Sequence, residues 1–251
     1  MSERRLLDGK VALVTGAGAH DGIGFATAKL FVEAGARVVL ADIAEERTRE
    51  LAAELGPDAS AAPLDVRDAI SCRSAVAATL ARFGGLDILI NSAGIVQTRK
   101  LADVAEADLS SVLDVNLRGT MRMAQAAAPA MTRGGSIVCI ASIAAQRGGG
   151  LMGGPHYAAS KGGVLGLVKA MARELGSAGI RVNAINPGVI MTGMNRGVFS
   201  EAQQEAMLAT IPLGRFGSPR DVAGACLFLA SDLSAYMTGT ETDVNGGLLI
   251  H

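Results

Sequence analysis

Tyr157 and Lys161 stand four residues apart, which in a helix puts both side chains on one face. The stripe that follows, Val164, Leu167, Val168, Met171 and Leu175, keeps helical period and ends at Gly176. An ammonium beside a phenol favours the phenolate, so the pair is expected to draw the tyrosine pKa from about 10 toward neutrality. A phenol so tuned takes a proton from an alcohol or gives one to a carbonyl oxygen. The competing reading is a solvated helix face, and only the rest of the chain can decide.

A second chemical set lies near the start. Gly16, Gly18, Gly22 and Gly24 sit between an apolar run, Val11 to Val14, and a segment with Ile23, Ala26, Leu30 and Ala34 in helical register. Backbone amides at such a strand-to-helix turn can hold a pyrophosphate. The generic Gly-x-Gly-x-x-Gly pattern is broken, because Asp21 is third after Gly18. Asp42 closes the next apolar run, Arg37 to Leu40. A carboxylate there accepts from both adenosine ribose hydroxyls and repels a 2′-phosphate; the alternative is a helix N-cap. Asp65, also at a strand end, either caps a helix or approaches the adenine. Together these residues favour NAD over NADP, with Asp21 acting in the same direction.

The elements that position both sets alternate. Strands expected at 11–14, 37–40, 61–64, 86–90, 136–140, 181–185 and 240–244 are separated by helical patterns, including one from Asp108 through Met123 to Ala127. Ser218-Pro-Arg-Asp221 carries a helix-start signature. Apolar strands, short connections and this alternation predict an α/β fold: a single Rossmann-type domain, 1–251, with a doubly wound parallel sheet.

Composition narrows the partners. With 251 residues, 49% hydrophobic, and a net charge of −1, the chain has neither the basic footprint of a nucleic-acid binder nor that of an anionic-membrane binder. It has no Trp and 2 Tyr, too few for a base-stacking surface. Cys72, Cys139 and Cys226 are widely separated and read as reduced, buried hydrophobes; with His20 and His251 equally scattered, no metal set is expected. Neither a signal peptide nor a membrane span is evident, so a cytoplasmic protein is expected.

The order of these motifs resembles the short-chain dehydrogenase/reductase family along essentially the whole chain. Thr15-Gly16 with Gly22-Ile23-Gly24 is similar to the family's phosphate loop, with two extra residues; His20 and Asp21 are expected to bulge outward. Asn91-Ser-Ala-Gly94 is similar to Asn-Asn-Ala-Gly, Asp65-Val66 to the pair after the third strand, and Pro187-Gly188 with Thr192 to the segment beside the nicotinamide. The resemblance implies cofactor contacts from Gly16, Gly18, Asp21, Gly22, Ile23, Asp42, Ile43, Asp65, Val66, Asn91, Ala93, Gly94, Tyr157, Lys161, Pro187, Gly188, Val189 and Thr192. It implies a catalytic set of Asn116, Ser142, Tyr157 and Lys161. Tyr157 would be the general acid/base, Ser142 would hold the substrate oxygen, Lys161 would tune the tyrosine and bond the ribose, and Asn116 would keep a water chain from Lys161 to solvent. His156 is expected to point elsewhere.

Residues 194–213, with a helix from Glu201 to Ala209, look like the family's mobile lid. Phe199, Met207, Leu208, Met152 and Val189 suggest a partly apolar cleft, while Gln146, Arg147 and Asn195 could bind hydroxyls or an anion. The leading expectation is an enzyme moving a hydride between NAD(H) and a sugar, polyol or other small secondary alcohol. A 3-oxoacyl-thioester reductase and a steroid or cyclic alcohol dehydrogenase are alternatives, as is a non-catalytic NAD-binding sensor. Small residues on the Tyr157 helix (Ala158, Gly162, Gly163, Gly166) and the apolar end Gly247-Leu-Leu-Ile250 suggest a homotetramer, with a dimer as fallback.

Overall fold

Val11-Ala-Leu-Val-Thr15 is buried along its whole length because helices cover both faces of the sheet it joins. The computed structural model describes residues 5–149, 152–193 and 197–250. Strands β1 (Val11–Thr15), β2 (Arg37–Asp42), β3 (Ala59–Pro63), β4 (Ile88–Asn91), β5 (Gly135–Ile140), β6 (Ile180–Pro187) and β7 (Glu241–Val244) form one sheet. Every pairing is parallel and the order is 3-2-1-4-5-6-7, the doubly wound arrangement expected. Register is set in the middle, where Leu13 of β1 lies between Val39 and Leu89.

Nine α-helices are described: α1 (Ile23–Glu33), α2 (Glu45–Leu55), α3 (Ala69–Phe83), α4 (Glu106–Leu113), α5 (Gly119–Ala127), α6 (Ala144–Arg147), α7 (Pro155–Leu175), α8 (Glu201–Leu208) and α9 (Pro219–Ala230). On one face of the sheet Phe25 and Phe31 of α1, Leu51 of α2 and Val222, Cys226 and Leu229 of α9 pack against Val14, Leu40 and Ile90. On the other face Cys72 and Val76 of α3, Met123 of α5 and Val164 and Val168 of α7 pack against Leu13, Val39 and Leu89. Burying one such side chain is worth about 1.5–3 kcal/mol, and the two layers together hold the strand ends still. None of the described helices is long and apolar enough to cross a membrane.

Two expectations change in detail. The helix expected from Asp108 to Ala127 is divided: α4 and α5 are joined by a wide π-helical turn, Asp114–Arg118, with Asn116 at its centre. The last strand pairing carries β6 on to Pro187, opposite Val244. Ser218 does cap α9, accepting from the Asp221 amide at 3.3 Å, while Asp221 accepts from Ser218 and from Arg215. The Arg215 guanidinium holds the Asp221 carboxyl well below the usual carboxylate range. All three cysteines are free and buried, and burial pushes the thiols up to about 11 for Cys72 and Cys139 and about 12 for Cys226, which leaves them unreactive.

Candidate active site

Between β1 and β4 the chain reverses its direction of travel across the sheet, and the helices that follow leave toward opposite faces. A crevice opens there at the carboxyl ends of the strands. It is a cavity of about 830 Å³ walled by turns from β1, β2, β4, β5 and β6 and by α7 and α8.

The phosphate loop is built from backbone. Gly16 has φ +67°, and a Cβ there would come within 2.7 Å of the Ala93 Cα, so this crossing of two turns admits only glycine. Thr15 locks the crossing: its hydroxyl accepts from the Ser92 and Ala93 amides at 3.1 Å each and donates to the Ile90 carbonyl. Asp42 is not the helix cap that was its alternative. Its carboxylate accepts from the Gly18 amide at 2.9 Å and the Ala44 amide at 3.0 Å, tying the loop to the end of β2. Asp65 likewise caps no helix, since Asp68 caps α3; it pairs with Arg67, whose guanidinium holds its carboxyl below the usual value.

The two extra residues separate. His20 does turn outward, its ring 5.1 Å from Phe25 and its Nε2 3.7 Å from Glu54. Asp21, expected to bulge with it, instead lines the cavity, and a Cβ on Gly193 across the groove would lie 2.9 Å from its carboxylate. Of the remaining residues expected to meet a cofactor, Gly22, Ile23, Ile43, Val66, Ala93, Gly94, Pro187, Gly188, Val189 and Thr192 are on the cavity wall, together with Gly16, Asp42 and Asp65. Gly18 and Asn91 stand behind it: Gly18 supports Asp42, and Asn91 is buried with its amide 3.7 Å from the Cys139 sulfur. The cradle fits a dinucleotide, because the amino end of α1, at Gly22 and Ile23, meets a glycine crossing at Gly16 on the cavity wall and a carboxylate stands one strand away.

At the other end, α7 begins with Pro155 after Gly154, and brings Tyr157 and Lys161 to the cavity floor beside Ser142. A hydrogen bond from Ser142 reaches Tyr157, and the Ser142 hydroxyl accepts from the Ala144 amide at 3.1 Å. Lys161 is buried, donates to the Ile140 carbonyl at 2.7 Å, and lies 5.9 Å from the tyrosine ring centroid. The expected fall in the tyrosine pKa is not found. Burial raises the Tyr157 phenol above its ordinary value, with the Ser142 bond acting the other way. Lys161 is itself pushed down to about 8 by burial, which weakens the charge it can offer.

Asn116 has a structural post in the wide turn. Fully buried in its wide turn, it accepts from the Ile95 amide at 2.9 Å and donates to the Ile95 carbonyl and to Ser160, each at 3.0 Å. Both amide hydrogens are taken, while the side-chain oxygen keeps a second lone pair. It fixes the Gly94–Ile95 turn, where a Cβ on Gly94 would meet Asn116 at 3.3 Å and Lys161 at 3.5 Å. His156 turns away as expected, buried with its Nε2 3.2 Å from the Gln97 amide oxygen.

Some wall residues were not foreseen. Ser92, Ile95, Ser111 and Arg67 line the cavity, and Gly153 forms the seat of the tyrosine: with φ +82°, its absent Cβ would sit 3.0 Å from the ring Cγ. The Gly153-Gly154 pair just before Pro155 was the available signal. Gln146 does not face the cavity but donates to Glu241 at 2.8 Å. Of the lid, Met207 lines the cavity with Ala206 and Thr210, whereas Phe199 is buried outside it. The helix there ends at Leu208, and Met194 and Asn195 lie outside the described residues.

The profile of a family described as enoyl-(acyl carrier protein) reductase matches residues 16–249. An uncharacterized short-chain type dehydrogenase/reductase of Sinorhizobium fredii is 48% identical over 98% of this chain and 100% of its own. A 3-oxoacyl-[acyl-carrier-protein] reductase of Thermotoga maritima is 42% identical over 97% and 99%, and further relatives carry the same description. A D-threitol dehydrogenase of Mycolicibacterium smegmatis is 41% identical over 97% and 94%. Among solved structures, a short-chain dehydrogenase/reductase of Brucella melitensis described as glucose/ribitol dehydrogenase superposes with TM-score 0.93 at 34% identity, covering 99% and 100%.

Proposed function

The chain belongs to the short-chain dehydrogenase/reductase family, and from that premise we propose that it moves a hydride between NAD(H) and the 3-carbon of a 3-oxoacyl or 3-hydroxyacyl thioester. As a member of that family it is an NAD(P)-dependent oxidoreductase acting on CH–OH or C=O groups. What favours the thioester over the sugar or polyol first expected is the recurrence of 3-oxoacyl-[acyl-carrier-protein] reductases among full-length relatives. The apolar wall beside Tyr157, with Val189, Ile190, Met207 and Leu248, suits an acyl chain better than a polyol. D-threitol oxidation is the second reading, carried by one relative.

NAD rather than NADP is the cofactor proposed. Asp21, Asp42 and Asp65 bring three carboxylates to the nucleotide end, and the one arginine among its described lining residues, Arg67, is already paired with Asp65. A 2′-phosphate would meet net negative charge there. The bound nicotinamide supplies the site that gives or accepts the hydride. In the reducing direction Tyr157 donates its proton to the carbonyl oxygen, which Ser142 holds by hydrogen bonding, so hydride and proton together complete the alcohol. Burial favours the neutral phenol, the form that donates in this direction. Lys161, fixed by the Ile140 carbonyl, orients the floor on which the cofactor ribose would rest. Absorbance assays with NADH or NADPH and acetoacetyl-coenzyme A, run beside D-threitol with NAD, test this: turnover of D-threitol alone defeats the thioester reading, and equal use of NADPH defeats the cofactor reading.

A homotetramer is proposed as the working assembly. On α7, Gly163 is filled by its own Leu117, but a Cβ on Gly166 would meet nothing within 4 Å, and the neighbouring α5 leaves Met121 exposed. Ile250, 77% exposed, offers a second apolar contact. Light scattering across micromolar concentrations is expected to give about four times the 25.5 kDa chain mass; a value that stays at one chain mass sinks the proposal.

A further inference from the structure

Charge is distributed unevenly along the cavity. The carboxylates Asp21, Asp42 and Asp65 all stand at the nucleotide end, Asp42 closing β2 and the other two on turns that follow β1 and β3. Around Ser142 and Tyr157 the described lining residues include no carboxylate and two cations. One is Lys161, whose ammonium is committed to the Ile140 carbonyl. The other is Arg147, the last residue of α6, whose side chain makes no ion pair or hydrogen bond among the described residues. Its neighbour Gln146 points the opposite way, to Glu241 on β7.

From this we propose that Arg147 anchors an oxyanion on the substrate, a carboxylate or a phosphate, and so sets which end of the substrate faces outward. The inference rests on the hydride-transfer reading of the Ser142–Tyr157 centre and adds the charge of what that centre receives. Arg147 follows Ser142 by five residues, at the far end of the single turn α6, and both line the cavity, so its long side chain can extend toward a short acid held at Ser142. Gly148 and Gly149 follow it with φ +88° and +97°, and Met152 lines the same cavity. A guanidinium keeps its charge at every working pH and presents a planar fork that matches carboxylate or phosphate oxygens. The three carboxylates at the far end repel the same anion, so a charged substrate has one favoured orientation.

Two substrate pairs distinguish the source of the anion. Acetoacetate and its methyl ester differ in a carboxylate; acetoacetyl-coenzyme A and the N-acetylcysteamine thioester differ in the carrier phosphates. Arg147→Gln is expected to lower kcat/KM at least tenfold for the charged member of one pair and less than twofold for its neutral partner, with Arg147→Lys recovering part of the loss. Equal changes within both pairs overturn the anchor. Should none of the four be reduced, the thioester reading fails by itself. The anchor is then read from melting temperature: acetoacetate or free coenzyme A should stabilise the NAD-loaded wild type and not the NAD-loaded Arg147→Gln protein. Matching shifts in the two proteins, or no shift in either, overturn it.

Discussion

At the nucleotide end of the cavity the walls are strand termini and glycine backbone, pinned by Thr15 and Asp42; around Tyr157 they are side chains carried on α6, on the turn before α7 and on α8. The ends differ in electrostatics too. Asp65 is half-buried and held charged by Arg67, whereas Lys161 is enclosed and driven toward neutrality. Backbone at one end recognises what dinucleotides have in common. Side chains at the other select among substrates, and burial there sets proton affinities.

The sharpest break in that comparison comes from Tyr157→Phe. The ring keeps its seat on Gly153 and only the phenolic oxygen is lost, so turnover should fall by roughly 10² to 10⁴ while NAD binding, measured by calorimetry, stays within about twofold. Near-normal turnover would reassign the proton transfer to another group.

Lys161→Met probes the burial difference through stability. The folded-state pKa of about 8 lies below the ordinary 10.5, so the unfolded chain binds the extra proton between those values. The cost of the enclosed ammonium is therefore present below pH 8 and relieved as pH rises toward 10.5. Urea unfolding at pH 8 and pH 10 should show the wild type gaining on the order of 2 kcal/mol relative to the variant. A constant difference would mean that Lys161 is not desolvated.

Asp42→Ala is the smallest of the three. It removes the acceptor and the repulsion at the nucleotide end, and should narrow a more than roughly tenfold preference for NAD over NADP in kcat/KM. An unchanged ratio would move the selection to Asp21.

What could be read from the chain follows the same division. The strands, the doubly wound parallel sheet and the glycine-rich turn after the first strand were legible because a buried parallel strand is an apolar run and a tight turn or close approach tolerates no Cβ, as at Gly16. Tyr157 and Lys161 were legible as residue types at helical spacing, and Ser142 through the family resemblance. The electrostatics of that trio were not, since burial, which raises the phenol, is a property of the enclosed fold, while adjacency on a helix suggests only the ammonium's pull. Asp21 turning inward while His20 turns out was hidden for a related reason: two successive loop residues carry no periodicity. The tyrosine's seat on Gly153 depends on a positive φ, which a glycine permits but does not announce.

The wide turn at Asp114–Arg118 acts as a phase shifter between two helices. In a regular α-helix each added residue rotates everything beyond it by about 100°, and the extra residue in this turn resets the angle at which α5 leaves α4. Met123, Ala124 and Ala127 meet the sheet only at that setting, and Asn116 reaches Ile95 only from the widened loop. Deleting a single residue there would give a smoother helix by local rules and a wrongly indexed one by global rules. Its apolar stripe would turn off the core as Asn116 let go of the turn that carries Gly94. Packing and site thus share one mechanical index, and a change of length in this helix cannot disturb one and spare the other.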